Sequence, residues 1–158
     1  MVYFIRHGIA EEAETFDGPD AERPLTAQGR AKMARIGKAL VDLKVKPAQI
    51  LTSPLVRARR TAEIVAKALG ARRPVEDDGR LAGGFDYHLL GAILNDRVNV
   101  KSLMLVGHEP SMSAVIGHAI GNAHVEMKKG AVACVEFPNA PSPRGQLLWL
   151  VPPKILAG

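Results

Sequence analysis

The sequence predicts an α/β domain in three layers, with a mainly parallel central sheet and an antiparallel strand pair near the C-terminal end. Three observations carry this expectation. Short apolar segments rich in β-forming residues recur along the chain, and the first of them alternate with polar segments whose apolar residues fall three and four apart. The pattern then closes on two consecutive strand-like segments, Ala131 to Phe137 and Gln146 to Val151, joined by a loop rich in proline, Pro138 to Gly145. A chain of 158 residues accommodates one domain, residues 1–158, with a core between sheet and helices and little material for a second lobe.

Taken in order, Val2 to Ile5 reads as a buried strand that breaks at Gly8. Glu11 to Glu22 is acidic, contains Gly18-Pro19, and reads as a polar loop whose place relative to the rest is left open. Thr26 suits an N-cap, and Met33, Ile36, Ala39, Leu40 and Leu43 give the following helix one apolar stripe. Gln49 to Thr52 is a second strand. Ser53-Pro54 is read as the opening of another helix, a capping residue followed by proline, which runs to about Leu69 and stops at Gly70. Val75 suits a short edge strand, Asp77 to Asp86 is rich in turns, and Tyr87 to Leu94 is weakly helical. Ser102 to Val106 is a third apolar strand, closed by Gly107-His108, and Ser111 to Ile120 a further helix.

Composition limits the function. Hydrophobic residues make up 47% and charged residues 23%, as in ordinary globular proteins. No apolar run approaches the roughly 20 residues that span a bilayer, and the first apolar segment is too short for a signal-peptide core, so a cytoplasmic location is expected. The single cysteine, Cys134, sits in the run Ala131 to Val135, reads as a buried strand thiol, and leaves no intrachain disulfide. The net charge of +5 is spread among acids, aromatics are only 4%, and no nucleic-acid motif is present, so the balance points to a small anionic target such as a phosphoryl group.

His7, Ser53 and His108 each follow directly on the C-terminal end of a predicted strand, the edge at which open α/β sheets bind ligands. Three segments therefore meet there: Arg6-His7-Gly8, Ser53 through Arg57 to Thr61, and Gly107-His108-Glu109-Pro110. Guanidinium groups match the equatorial oxygens of a phosphoryl group, whose transfer asks chiefly for positioning and electrostatic stabilisation. A histidine among positive charges is kept neutral, with a ring lone pair free for attack.

These segments resemble the histidine phosphatase superfamily, also called the phosphoglycerate-mutase-like family. The Arg-His-Gly triplet after the first strand, Ser53, Arg57, Ala58, Thr61 and Ala62 at the second helix, Gly107-His108-x-Pro110, and Arg23-Pro24-Leu25-Thr26-x-x-Gly29 before the first helix carry the resemblance. It implies that His7 is the phosphorylated nucleophile, that Arg6, Arg57 and His108 hold phosphoryl oxygens, and that no metal or other cofactor is needed. Gly8, Ser53, Arg23 and Asp86 are the further candidates around the substrate. The family's mutases carry an asparagine where this chain has Ala13, and a glutamate acid in the segment corresponding to Arg80 to Asp86, which here has none. An alkoxide leaving group gains greatly from a positioned acid, whereas an imidazole, whose conjugate acid has a pKa of about 6.5, asks far less. With little chain available for a lid, the resemblance is strongest to the short SixA-type phosphohistidine phosphatases, and the expected partner is a phosphorylated histidine-containing protein, such as a phosphotransfer domain, or else a small phosphate ester.

Other readings of the same residues are a small-molecule phosphomonoesterase using Asp86, or a loop acid such as Glu12, as its acid, and a phosphate-binding regulatory module without turnover. Arg59 and Arg60 lie about 200° and 300° round the helix from Arg57 and are expected in solvent. His88, His118 and His124 are expected to be structural or exposed, and no paired metal-ligand spacing occurs. Ser53 is read first as a helix cap and second as a site contact, and Arg23 as a ligand either of the phosphate or of a substrate protein.

Overall fold

The computed structural model describes residues Met1–Gly158. Six strands form one sheet: β1 (Val2–Arg6), β2 (Gln49–Thr52), β3 (Glu76–Asp77), β4 (Leu103–Gly107), β5 (Val132–Glu136) and β6 (Gln146–Val151), in the order β3-β2-β4-β1-β5-β6. The pairings β2 with β3, β2 with β4 and β1 with β4 are parallel. β5 is antiparallel both to β1 and to β6. The expected architecture is therefore present, with β5 as the one reversed strand.

Alternation along the strands divides the core. Phe4, Leu51, Leu105 and Val135 face one side, where they pack with Leu90 and Ile93 of α3 (Tyr87–Asp96) and Met112 and Ile116 of α4 (Ser111–Ala119). Ile5, Ile50, Met104, Val106 and Val132 face the other, against Met33, Ile36 and Leu40 of α1 (Ala27–Asp42) and Ala58, Ala62 and Val65 of α2 (Val56–Leu69). Burying each large aliphatic side chain stabilises the fold by about 1.5–3 kcal/mol before entropy is counted. A last short helix, α5 (Pro153–Ala157), which was not anticipated, closes the second face with Leu156 and Ala157.

The helix ends show which local signals held. Thr26 accepts a hydrogen bond from the Gly29 amide at 2.9 Å, as a cap does, and α2 ends at Gly70 in the left-handed conformation, φ 61°. Ser53 does not cap α2. The helix starts three residues later, at Val56, with Leu55 at the cap position and no side-chain cap bond. The edge strand also falls one residue beyond Val75, at Glu76–Asp77, where Gln49 and Arg97 engage the Glu76 carboxylate. Cys134 is buried on β5 as expected, its thiol against Met1.

Gly29 permits the close approach on which the first helix depends. A Cβ there would stand 2.0 Å from the Ile9 carbonyl oxygen, an atom fixed because it also accepts the Thr26 amide. Gly91, within α3, has only ordinary contacts around it. Gly29→Ala should therefore destabilise the protein by about 1–3 kcal/mol through overpacking, and Gly91→Ala should stabilise it by about 0.5–1 kcal/mol through helix propensity. Urea unfolding of the two variants measures both signs.

Candidate active site

The parallel strands β1, β2 and β4 end side by side, and the chain leaving each is pinned to its neighbour. The His7 amide donates to Gly107 O at 3.0 Å and the Ser53 amide to Val106 O at 2.9 Å, while Gly130 donates to Arg6 O at 3.1 Å. Thr61 stitches α2 to the same edge, accepting from the Gly8 amide at 3.0 Å and donating to Arg57 O at 2.7 Å. Arg6, His7, Arg57 and His108 converge there, and the two imidazoles lie 5.1 Å apart between ring centres.

His7 is 6% exposed. Its Nδ1 lies 2.7 Å from Gly8 O, and since a carbonyl only accepts, Nδ1 carries the proton and Nε2 keeps its lone pair. Burial pushes the His7 pKa down to about 3. The Gly8 bond opposes that shift, and the charges of His108, Arg57 and Arg6 add to it. His7 is therefore neutral across the physiological pH range, with Nε2 unprotonated.

His108 is also held neutral, its pKa pushed down to about 4 by burial and then by Arg57. Its Nε2 is 2.8 Å from Ser53 Oγ. Ser53 is fully buried and its oxygen already accepts from the Leu55 amide, so its hydroxyl proton has the imidazole as its acceptor. That places the His108 proton on Nδ1. Ser53 is thus a site residue through His108 rather than a helix cap.

Three buried side-chain nitrogen atoms in the whole chain have no hydrogen-bond partner: Arg6 Nε, Arg57 Nε and His108 Nδ1. Each such group costs about 1–3 kcal/mol when left unpaired, and all three belong to this cluster. Both guanidinium groups are anchored by their far ends. Arg6 gives Nη1 to Met127 O at 2.9 Å, and Arg57 gives Nη1 to Asp20 O at 2.7 Å and Nη2 to Asp20 Oδ2 at 2.9 Å. The Nε edges stay free. Unpaired donors in the same cluster as an unprotonated imidazole nitrogen are chemically suited to an oxyanion.

The remaining candidates lie as follows. Arg23 bonds to Asp20 rather than to any of the four central residues, donating Nε to Asp20 Oδ1 at 2.9 Å and Nη1 to Glu11 O at 2.6 Å, and its charge helps to keep His108 neutral. Asp86 caps α3 by accepting the Leu89 amide at 2.9 Å and bonds to none of the four central residues. Arg59 pairs with Glu63 and Asp77, and Arg60 with Glu63. His118 stacks on Tyr87 at 4.1 Å, with His88 on the edge of the same ring. No group of three or more His, Cys, Asp or Glu side chains is arranged to hold a metal ion. Sequence reasoning missed two contributors, Asp20 and the Met127 carbonyl. Neither carried a signal of its own: Asp20 is one of several acids between Glu11 and Glu22, ahead of α1, and a backbone carbonyl has no side-chain signature.

The two depressed imidazoles make stability depend on pH. Between the unfolded value of about 6.5 and the folded values of about 3 and about 4, unfolding takes up protons. The stability contributed by these two neutral rings is therefore present above about pH 6.5 and is lost as pH falls through that window. Urea unfolding at pH 7, 6 and 5 should show this decline, and a His7→Asn/His108→Asn double variant should show a shallower one. Parallel declines would contradict the assignment.

Residues 2–83, more than half of the chain, match the family model of the histidine phosphatase superfamily, branch 1. Phosphohistidine phosphatase SixA of Escherichia coli is 27% identical over 97% of this chain and 94% of its own. A solved structure of the protein histidine phosphatase SixA complexed with tungstate superposes with a TM-score of 0.85 at 27% identity, covering 98% of both chains. A probable phosphoglycerate mutase GpmB of Klebsiella pneumoniae is 30% identical over 90% of this chain, which spans 66% of that relative's length. The matched span begins at the strand that delivers Arg6 and His7 and includes the helix that delivers Arg57, so the chain belongs to the histidine phosphatase superfamily.

Proposed function

We propose that this phosphatase hydrolyses phosphohistidine on a protein, such as a phosphotransfer domain, in the cytoplasm and without a metal ion. The observation that carries the reading is the neutral His7, its Nε2 unprotonated, among unpaired donors on Arg6, Arg57 and His108. Nε2 attacks phosphorus in line with the leaving group: the P–Nε2 bond forms as the P–N bond to the substrate ring breaks. That ring, protonated from solvent on its other nitrogen, departs as neutral imidazole, while the two Nε–H groups and His108 Nδ1–H take the equatorial oxygens. Water then attacks phospho-His7 and releases phosphate. The tungstate in the related SixA structure is an oxyanion of phosphate-like shape, which agrees with such a donor set.

The choice of leaving group rests on the carboxylates. No carboxyl group hydrogen-bonds to His7 or His108. Asp86 caps α3, and Glu109 Oε1 accepts the Ser113 amide. Burial works against ionisation of Asp20, but the bonds from Arg23 and then Arg57 outweigh it and hold the carboxyl below its usual range, so it has no proton to give. An imidazole departs without a strong acid; a sugar or glycerate alkoxide does not.

The protein and its His7→Ala variant, incubated with a phosphohistidine-bearing domain and a panel of alkyl phosphates, test this. Phosphohistidine should be cleaved at least about tenfold faster than alkyl esters, and His7→Ala should lose about 10³-fold or more. One acid-labile phosphoryl group per chain should be trapped on His7. Equal activity of the variant would reject the nucleophile, faster ester cleavage would favour the small-molecule phosphomonoesterase, and binding without release would favour a regulatory module.

A further inference from the structure

We infer that Asp20 is a positioning residue that fixes the orientation of Arg57, so that the acidic loop ahead of α1 is a working part of the catalytic site. The inference rests on Arg57 being a phosphoryl ligand and adds the question of what aims it. A guanidinium has two edges able to grip a pair of oxygens: the end-on edge of Nη1 and Nη2, and the side-on edge of Nε and Nη2. Asp20 takes the end-on edge with two oxygens at once, its backbone carbonyl at 2.7 Å and its carboxylate at 2.9 Å. The side-on edge is left over, and its Nε is the buried atom without a partner. Arg57 has no other side-chain bond.

Asp20 is itself fixed. Arg23 holds Oδ1 through Nε and Nη2, both at 2.9 Å, while Oδ2 serves Arg57. Arg23 in turn grips Glu11 O, and the backbone across Asp20–Glu22 is a single helical turn closed by the Arg23 amide on Asp20 O. The Asp20 carbonyl thus receives both the turn and Arg57. The Asp20 side chain remains 57% exposed and belongs to neither apolar cluster, so its role is separable from the stability of the core. Arg6 is held by one terminal nitrogen only, on the Met127 carbonyl, so the two-oxygen grip on the end-on edge is particular to Arg57.

The test is a double-mutant cycle on Asp20 and Arg57, read as kcat/KM for phosphohistidine cleavage, together with the NMR signal of the Arg57 Nε–H group. Asp20→Ala should lower activity about tenfold in the natural background and less than twofold on top of Arg57→Ala. Asp20→Asn, which keeps an acceptor for Nη2, should recover to within about threefold of the natural protein. The Arg57 Nε–H signal should be sharp and slow to exchange in the natural protein and in Asp20→Asn, and broadened in Asp20→Ala. Equal losses in both backgrounds, no loss from Asp20→Ala, or an unchanged Nε–H signal would each overturn the inference. Full activity of Arg57→Ala would instead count against the proposed function.

Discussion

The hydrogen bond from His7 Nδ1 to the carbonyl of Gly8 ties a backbone contact to a chemical state. Because the carbonyl can only accept, the bond commits one ring nitrogen to carrying the proton and frees the other. The imidazole is also buried and surrounded by Arg6, Arg57 and His108, so protonating the second nitrogen is costly and the neutral form persists. The neighbouring backbone bonds fix the position of that ring. Gly8, which supplies the carbonyl, is held by Thr61 of α2, and His7 itself is held to β4 through Gly107.

Preorganisation of the donors follows from the sheet. Three parallel strands end together, so the first residues after each are brought within a few ångströms without any long loop having to be ordered. The guanidinium and imidazole groups then keep unpaired donors buried in advance of the substrate, a cost borne by two packed apolar faces. That is how electrostatic catalysis is expected to work: dipoles already aimed need no reorganisation when charge develops.

Much of this was legible in the sequence for a physical reason. Strand ends and helix starts have strong local signals, so His7 after Val2–Ile5 and His108 after Ser102–Val106 could be placed at one edge from periodicity alone. Thr26 and Gly70 marked helix ends because capping and left-handed backbone are local chemistry. Ser53 misled for the same reason. A serine before proline has the local signature of a cap, yet its hydroxyl is drawn to His108, a residue 55 positions away. Asp20 was invisible among the other acids of Glu11 to Glu22, because which of them meets Arg57 depends on how the loop folds back. The Met127 carbonyl has no side-chain signature at all, and α5 is too short to show a period.

The absence of an acid bonded to either imidazole connects the site to its leaving group, but the neutral nucleophile comes first in the argument. The most direct check is the protonation of His7 itself, read from ¹⁵N chemical shifts of the histidine rings in the natural protein at pH 6, with His7→Asn assigning the signal. A neutral ring with the proton on Nδ1 and a bare Nε2 is the predicted result. An imidazolium, or a neutral ring protonated on Nε2, would contradict the account.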